Sequence, residues 1–350
     1  MRSQGLWGRR LGTPEEVVGR LGAVQAQEYH YAKWTVAQRA NGADEATIDR
    51  GLADGSILRT HLLRPTWHFV LPRDIRWMLA LTGPRVKARN ASRLRDLGLD
   101  ERLLSRSNGV MARAVEGGSH LTRKELAEHL ARARIVVTGQ RLPYLLMGAE
   151  LDGVICSGAP RGKQQTYALL DERAPKTREL DRDEALAELV RRFFTARGPA
   201  TLRDFARWSS LTVADAKRGL GALAGELEHR EIAGRTYWFA PRPGPWGARS
   251  TTIDLVQGYD EIIMSYSESR DVLHGSASRQ MMDGSNSPMH AVLLDGQLIG
   301  RWRRTVLRNS VVLDTTLDRR LDDGEARALE TAAKRYARFV GMPTTLALDV

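Results

Sequence analysis

Two glutamines separated by one small apolar residue, Gln25-Ala26-Gln27, follow an apolar stretch near the N-terminus. Each amide side chain carries an acceptor oxygen and two N–H donors, so such a pair can hold a water molecule or bind a polar edge without titrating. On one continuous helix the two side chains would point about 200° apart, given roughly 3.6 residues per turn. They can reach one substrate together only if the helix ends near Val24 or the pair lies in an extended turn. Two surface amides without a chemical role are the alternative.

The element that must position this pair is a short helix. Val17, Leu21 and Val24 fall on one helical face, whereas Gly19 and Gly22 weaken the helix and make an early end plausible. Residues 13–16 open it with a threonine cap, a proline at the first helical position and two acids in the first turn. The following pattern predicts helices at 31–40 and 44–54, then paired strands at 57–63 and 67–71. Three helices followed by a hairpin is the order of a winged helix.

The same order returns twice, which indicates an internal repeat. The second copy comprises helices at 99–116 and 141–151, a capping box at Thr122-Arg123-Lys124-Glu125, and a hairpin at 153–169 with a basic tip at 160–163. The third comprises a helix at 182–196, a capped helix from Thr201, a helix at 212–223 and a hairpin at 227–239. Winged helices usually contact nucleic acid, although many serve only in protein contacts.

The C-terminal part is expected to be a smaller unit of both helices and strands. After a turn-rich linker at 241–246, the pattern predicts strands at 262–264, 291–294, 297–302, 311–313 and 346–348 and a helix at 323–340. A polar segment at 274–288 is interpreted either as a binding loop or as a merely flexible one. The predicted fold class is therefore α+β: three tandem winged-helix units followed by a β-rich C-terminal unit. The predicted boundaries are 1–96, 97–178, 179–245 and 246–350.

Composition narrows the possible functions. The 350 residues carry a formal net charge of +11, which suits a polyanion, although only 7 of the 53 basic residues are lysine and an arginine bias can contribute. The single cysteine, Cys156, excludes an internal disulfide and a cysteine-based zinc site. No apolar run is long enough for a membrane span and no signal peptide is apparent, so a soluble protein without membrane contact is expected. Phosphate loops, dinucleotide-binding glycines and the zinc-hydrolase and serine-hydrolase motifs are also missing.

A family resemblance joins these features. The Val24-to-Gln27 stretch, the helix at 31–39 and the segment LLRPTWHFV at 62–70 together resemble the AlkZ family over nearly the whole chain. Those proteins are winged-helix DNA glycosylases that remove bulky alkylated guanines, unhook interstrand crosslinks and often protect producers of genotoxic natural products. Their Gln-apolar-Gln catalytic motif maps here onto Gln25, Ala26 and Gln27. The related branch typified by YcaQ has Asp at the second position and this chain does not, which favours the AlkZ-like branch.

The chemistry can be argued from the residues as well. Alkylation at N7 makes a purine cationic and therefore a good leaving group, so a general acid and a carboxylate become less necessary. One glutamine can hold a water below C1′ while the other orients it or binds the lesion edge, and such fixed dipoles lower a barrier without a titrating group. Neutral amides also avoid the repulsion that a carboxylate would meet beside DNA phosphates.

The resulting hypothesis is a monofunctional DNA N-glycosylase that acts on cationic N7-alkylpurines in double-stranded DNA, with Gln25 and Gln27 catalytic. DNA contacts are expected from these residues: Arg59, Arg64, Thr66, His68, Arg161 and Lys163. His68 can equally be a satisfied strand histidine. No metal or cofactor is expected, and the protein is expected to be a cytoplasmic, nucleoid-associated monomer. A non-enzymatic winged-helix regulator is the principal alternative, and a protein-binding scaffold is a third.

Overall fold

The computed structural model describes residues 1–241, 250–269 and 289–349. Its first elements are α1 (Pro14–Leu21), β1 (Val24–Gln25), α2 (Tyr29–Ala37), α3 (Glu45–Asp54), β2 (Leu58–His61) and β3 (Trp67–Val70). The three strands form an antiparallel sheet in the order β1-β3-β2. The two helices and the strand pair predicted after the glutamines are therefore present, with ends shifted by a few residues.

The end of α1 decides where the glutamines go. Thr13 caps the helix by accepting a hydrogen bond from the Glu16 N–H, and Gly22 ends it with a φ of +73° that suits glycine. The chain then turns into β1, so the glutamines do not lie on a continuing helix. The prediction of an early helix end is confirmed.

A long helix, α4 (Pro72–Asp96), follows the first sheet and was not predicted. It buries Ile75, Met78 and Leu81 although Pro84 lies inside it and many of its other residues are charged. Packing against neighbouring helices, rather than a clean apolar stripe, stabilises it. A purely local pattern could not reveal this helix.

The second and third copies of the pattern have the predicted element order. The second comprises α5 (Glu101–Val115), β4 (Leu121–Thr122), α6 (Arg123–Arg132), α7 (Arg141–Leu151), β5 (Ile155–Ser157), β6 (Thr166–Leu169) and α8 (Leu170–Arg173). The third comprises α9 (Arg182–Arg197), α10 (Leu202–Ser209), α11 (Val213–Gly221), β7 (Glu228–Ile232) and β8 (Arg235–Phe239). The capping box at Thr122 and Glu125 and the cap at Thr201 are confirmed, because at each site the threonine hydroxyl and the carboxylate three residues on each accept from the other residue's backbone N–H.

The C-terminal part contains β9 (Ile253–Val256), α12 (Glu261–Met264), β10 (Ala291–Leu294), β11 (Gln297–Val306), β12 (Val311–Leu317), α13 (Asp323–Val340) and β13 (Thr344–Asp349). The strands form one sheet in the order β13-β12-β11-β10-β9, in which only the β12–β13 pair is parallel. The chain is thus an α+β protein, as predicted.

One prediction for this part was wrong. Residues 262–264 form the short helix α12 instead of a strand, because Asp260 caps it by accepting from the Ile262 N–H at 2.9 Å. The strand β9 was missed. Most of the linker at 241–246 and the whole of the segment at 274–288 lie outside the described residues, and the predictions made for them stay predictions.

One apolar cluster runs through all four segments, with Met78, Met147, Phe193 and Ile262 among its members. The helix α9 packs against α1, α4 and α11. The predicted boundaries at 96, 178 and 245 stay predictions, since these segments share their core. In the described ranges, no helix combines the length and apolarity that crossing a membrane requires.

Candidate active site

The glutamine motif lies at the edge of the first sheet. β1 pairs with β3 so that Gln25 stands directly opposite His68, and the two side chains therefore leave the same face of the sheet. Gln25 is 1% exposed, whereas Gln27, two residues on, is exposed to solvent. The two amides share one extended turn but occupy very different surroundings.

Arg59 holds the backbone of the motif. Its Nε and Nη2 atoms donate to the Ala26 carbonyl oxygen at 3.2 and 3.0 Å, and its guanidinium lies 4.4 Å from the centroid of the Trp67 ring. The Ala26 N–H in turn donates to the Trp67 carbonyl at 2.7 Å. Arg59 was predicted to contact DNA, but these hydrogen bonds direct it at the turn that carries the glutamines.

Arg64 contacts the catalytic candidate itself. Its Nη2 atom donates to Gln25 Oε1, and its Nη1 atom donates to the Trp208 carbonyl at 3.2 Å. Arg64 is half-buried. This arginine therefore joins the motif to the end of α10, far away in the sequence.

Glu261, at the start of α12, was missed by sequence reasoning although it supports the motif from behind. Its fully buried carboxylate accepts hydrogen bonds from the Gln25 N–H (2.8 Å), Arg197 Nη2 (2.7 Å), Trp208 Nε1 (2.9 Å) and Ser265 Oγ (3.0 Å). Burial alone would raise the pKa of Glu261, but the charges of Arg197 and Arg64 and these hydrogen bonds hold that pKa at about 2. A carboxylate occupied in this way positions the strand and does not serve as a base. No local signal in the sequence marked it.

His68 is buried and neutral. Its Nδ1 atom lies 2.9 Å from the Thr66 carbonyl oxygen, which requires the proton on Nδ1. Burial and the neighbouring Arg64 charge lower the pKa of His68 to about 3. Its Nε2 atom and Thr66 Oγ1 are both buried without a hydrogen-bond partner among the described residues. His68 is thus a strand histidine that is satisfied on one nitrogen only.

The hairpin tip between β5 and β6 lies apart from the motif. Arg161 is exposed, but it pairs with Glu125 at 2.6 Å and donates to the His120 carbonyl at 2.7 Å. Lys163 is exposed. The roles predicted for these two residues in DNA binding stay predictions, with Arg161 already engaged by its own protein.

Lys33, the lysine closest in sequence to the glutamines, does not face solvent. It is 2% exposed and pairs with Glu45 at 2.7 Å and with Asp49 at 2.9 Å. Its amine is therefore occupied as a buried ammonium group.

Arg64 belongs to a group of arginines beside Gln25, of which sequence reasoning identified Arg64 alone. The arginine cluster consists of Arg64, Arg85, Arg89 and Arg207, the last three of which are exposed. Arg85 and Arg89 each donate to Ser210 at 3.3 Å, at the end of α10. Burial, together with the charges of Arg207 and Arg89 among others, lowers the pKa of Arg64 to about 10. Within the described parts of the chain, no member has a carboxylate at ion-pair distance, so the cluster is a concentrated positive surface.

A pair of neutral amides beside a cluster of arginines is suited to a protein that acts on a nucleic acid. The described residues contain no group of three or more histidine, cysteine, aspartate or glutamate side chains placed to hold a metal ion.

Comparison with known proteins also indicates a protein that acts on nucleic acid. The family model of the AlkZ-like DNA glycosylases matches residues 18–339. An interstrand DNA cross-link repair glycosylase of Streptomyces sahachiroi is 28% identical over 358 residues, which span 98% of this chain and 95% of that protein. The solved structure of the S. sahachiroi DNA glycosylase AlkZ matches with a TM-score of 0.80 at 25% identity, covering 99% of this chain and 96% of that one.

The chain therefore belongs to the AlkZ-like DNA glycosylase family and is a DNA glycosylase. Its predicted membership is confirmed, and the alternative of a non-enzymatic regulator is set aside.

Proposed function

We propose that this enzyme is a monofunctional N-glycosylase that hydrolyses the glycosidic bond of cationic N7-alkylpurines, bulky adducts included, in double-stranded DNA. The observation that carries the proposal is the placement of Gln25 and Gln27 in one turn beside a neutral His68 and the arginine cluster. Water forms a bond to C1′ as the bond from C1′ to the purine breaks. The electron pair of that bond neutralises the base, and the proton of the water passes to solvent.

The side chains of the motif favour a lesion that is already cationic, because they offer no acid that could help the base to leave. The nearest buried carboxylate, Glu261, is occupied by four hydrogen bonds and faces the backbone of the motif. An uncharged base needs protonation or a strong acid to leave, and the side chains of the motif supply neither. A purine that already carries positive charge leaves without that help.

The decisive measurement is release of N7-methylguanine from a duplex, scored as abasic sites. Release is expected with the wild-type enzyme, whereas a matched duplex containing uracil should remain intact. A duplex with a bulky N7 adduct and one with an interstrand crosslink extend the test, since a relative is named as a cross-link repair glycosylase. Efficient uracil release, or no release of any N7-alkylpurine, would contradict the proposal.

The absence of strand cleavage is a second expectation. Cleavage by β-elimination needs an amine that forms a Schiff base with the sugar, and Lys33 is buried between Glu45 and Asp49. Borohydride added during turnover should therefore trap no covalent adduct with DNA. A trapped adduct in wild type that disappears in Lys33→Met would show that the ion pairs open during the reaction.

The proposal also covers the repeat units, the DNA contacts, the oligomeric state and the cellular location. The three copies of the helix and hairpin order are proposed to be winged helices that cradle the duplex, with boundaries at 96, 178 and 245. DNA contacts are assigned to Arg85, Arg89 and Arg207 of the arginine cluster and to Thr66 and Lys163. The enzyme is proposed to act as a monomer on nucleoid DNA in the cytoplasm.

A further inference from the structure

The amide of Gln25 has only one orientation that its surroundings accept. Arginine nitrogens donate hydrogen bonds and accept none, so the amide atom that faces Arg64 Nη2 must be the oxygen, Oε1. The reverse orientation would place an NH2 group against a guanidinium, donor against donor. The Nε2 group of Gln25, which has two N–H donors, is therefore the part left for a substrate or a water.

Arg64 is itself held firmly enough to impose this orientation. Its Nη1 atom donates to the Trp208 carbonyl, and the fully buried Trp208 donates to Glu261. Glu261 also accepts the backbone N–H of Gln25. The backbone and the amide of Gln25 are thus fixed by the same network, which is the condition for a preorganised donor.

An acceptor stands opposite this donor. Directly opposed residues of an antiparallel pair have Cβ atoms about 5 Å apart, and His68 is the residue opposed to Gln25. Since Nδ1 of His68 is committed to the Thr66 carbonyl, its free lone pair is on Nε2. That atom is buried and has no hydrogen-bond partner in the described part of the chain.

We propose that Arg64 is a positioning residue that turns Gln25 into a hydrogen-bond donor, and that His68 Nε2 is the acceptor that completes a site for the attacking water. The inference rests on the proposed function, of which it specifies the machinery. A water in this site accepts from Gln25 Nε2, donates to His68 Nε2 and keeps one lone pair for C1′. Because both groups are almost fully buried, a water-sized molecule suits them better than the edge of a base.

The central test replaces only the donor. In Gln25→Glu the carboxylate still accepts from Arg64 but offers no N–H, so the single-turnover rate of N7-methylguanine release should fall about 10²-fold or more. The Kd for the lesion duplex and the Tm should stay close to wild type. Gln140→Glu is the matched control, because Gln140 also accepts from an arginine, Arg93, at 2.5 Å but lies exposed on another part of the surface.

Two further sets of variants separate positioning from a merely structural role. Arg64→Met should slow release, and the double variant Arg64→Met with Gln25→Met should be no slower than Gln25→Met alone, because Arg64 acts through Gln25. Arg64→Lys should recover part of the rate. His68→Phe should slow release, and His68→Gln, which again offers an acceptor, should recover part of it.

The outcomes distinguish this inference from the function on which it rests. If wild type releases no N7-alkylpurine, the proposed function fails. If wild type is active and Gln25→Glu is equally fast, or if the Arg64 and Gln25 losses are additive, only the present inference is overturned. If Gln25→Glu weakens binding of the lesion duplex but leaves the rate of release unchanged, the inference is also overturned. That result would mean that Gln25 and His68 recognise the base and do not hold the water.

Discussion

At the scale of single residues, the two glutamines of the motif are not equivalent. Gln25 is buried and its Oε1 accepts from Arg64, whereas Gln27 is exposed and has no hydrogen-bond partner among the described residues. Their sequence spacing suggests a symmetrical pair. The structure instead assigns one glutamine to a fixed network and leaves the other free to meet DNA.

This asymmetry predicts different stabilities for the two alanine variants. Gln25→Ala leaves a half-buried arginine donor unpaired and should lower the free energy of unfolding by about 1–3 kcal/mol. Gln27→Ala should change that free energy by less than about 0.5 kcal/mol, as at most exposed sites. Both should lose most of their excision activity. Urea unfolding followed in parallel with release of N7-methylguanine would test this, and equal stabilities for the two variants would contradict it.

At the scale of secondary-structure elements, α4 and the end of α10 create the positive surface beside the motif. Arg85 and Arg89 project from α4 onto Ser210, where they also satisfy carbonyl and hydroxyl oxygens at the end of α10. Each guanidinium has further N–H groups for a phosphate. The hairpin tip at Arg161 differs, because Glu125 already neutralises that side chain.

The salt dependence of DNA binding should reflect this difference. Every phosphate contact that is lost should reduce the slope of log K against log salt concentration by about 0.9. Arg85→Gln combined with Arg89→Gln should therefore flatten the slope by more than one unit, by the same rule. Arg161→Gln should flatten it less, because Arg161 is already paired with Glu125 and is less available to a phosphate. Titrations of undamaged duplex at a series of salt concentrations would measure these slopes. Identical slopes for wild type and the double variant would show that Arg85 and Arg89 do not contact DNA.

At the scale of the whole molecule, buried ion pairs join the C-terminal part to the rest. Arg197 pairs with Glu261 and Arg39 pairs with Asp260, each at 2.7 Å and with both partners fully buried. Breaking such a pair by removing one partner leaves a buried charge uncompensated and is strongly destabilising. The turn that carries the glutamines and the C-terminal part should therefore unfold together.

Acid should destabilise this assembly in a defined pH range. The pKa of His68 falls from 6.5 to about 3 on folding, so only the unfolded chain takes up its proton as the pH falls below about 6.5. The pKa of Glu261 falls from 4.5 to about 2, so the stability that its carboxylate contributes above pH 4.5 is lost as the pH falls toward 2. Both effects lower the free energy of unfolding as the pH falls.

The free energy of unfolding should therefore decrease steadily from about pH 6.5 downward. In His68→Gln the decrease between about pH 6.5 and 4.5 should be smaller than in wild type, because the residue no longer titrates. Urea unfolding at a series of pH values measures both. A wild-type stability that is constant through that range would contradict the burial of a neutral His68.

The sequence alone was enough to predict the features that depend on residues close together in the chain. Caps at Thr13, Thr122 and Thr201 mark helix starts because their side chains satisfy backbone N–H groups within the same turn. The helix and hairpin order of the three copies, the α+β class and the family were predicted from such patterns and from the motif around Gln25.

Tertiary structure alone decided which side chains serve the motif. Glu261 accepts the N–H of Gln25 from 236 positions away in the sequence, and Trp208 anchors the arginine that orients the amide. The helix α4 also depends on neighbours that no local pattern contains. An amide has two possible orientations, and only the charged group that folding places beside it selects one of them.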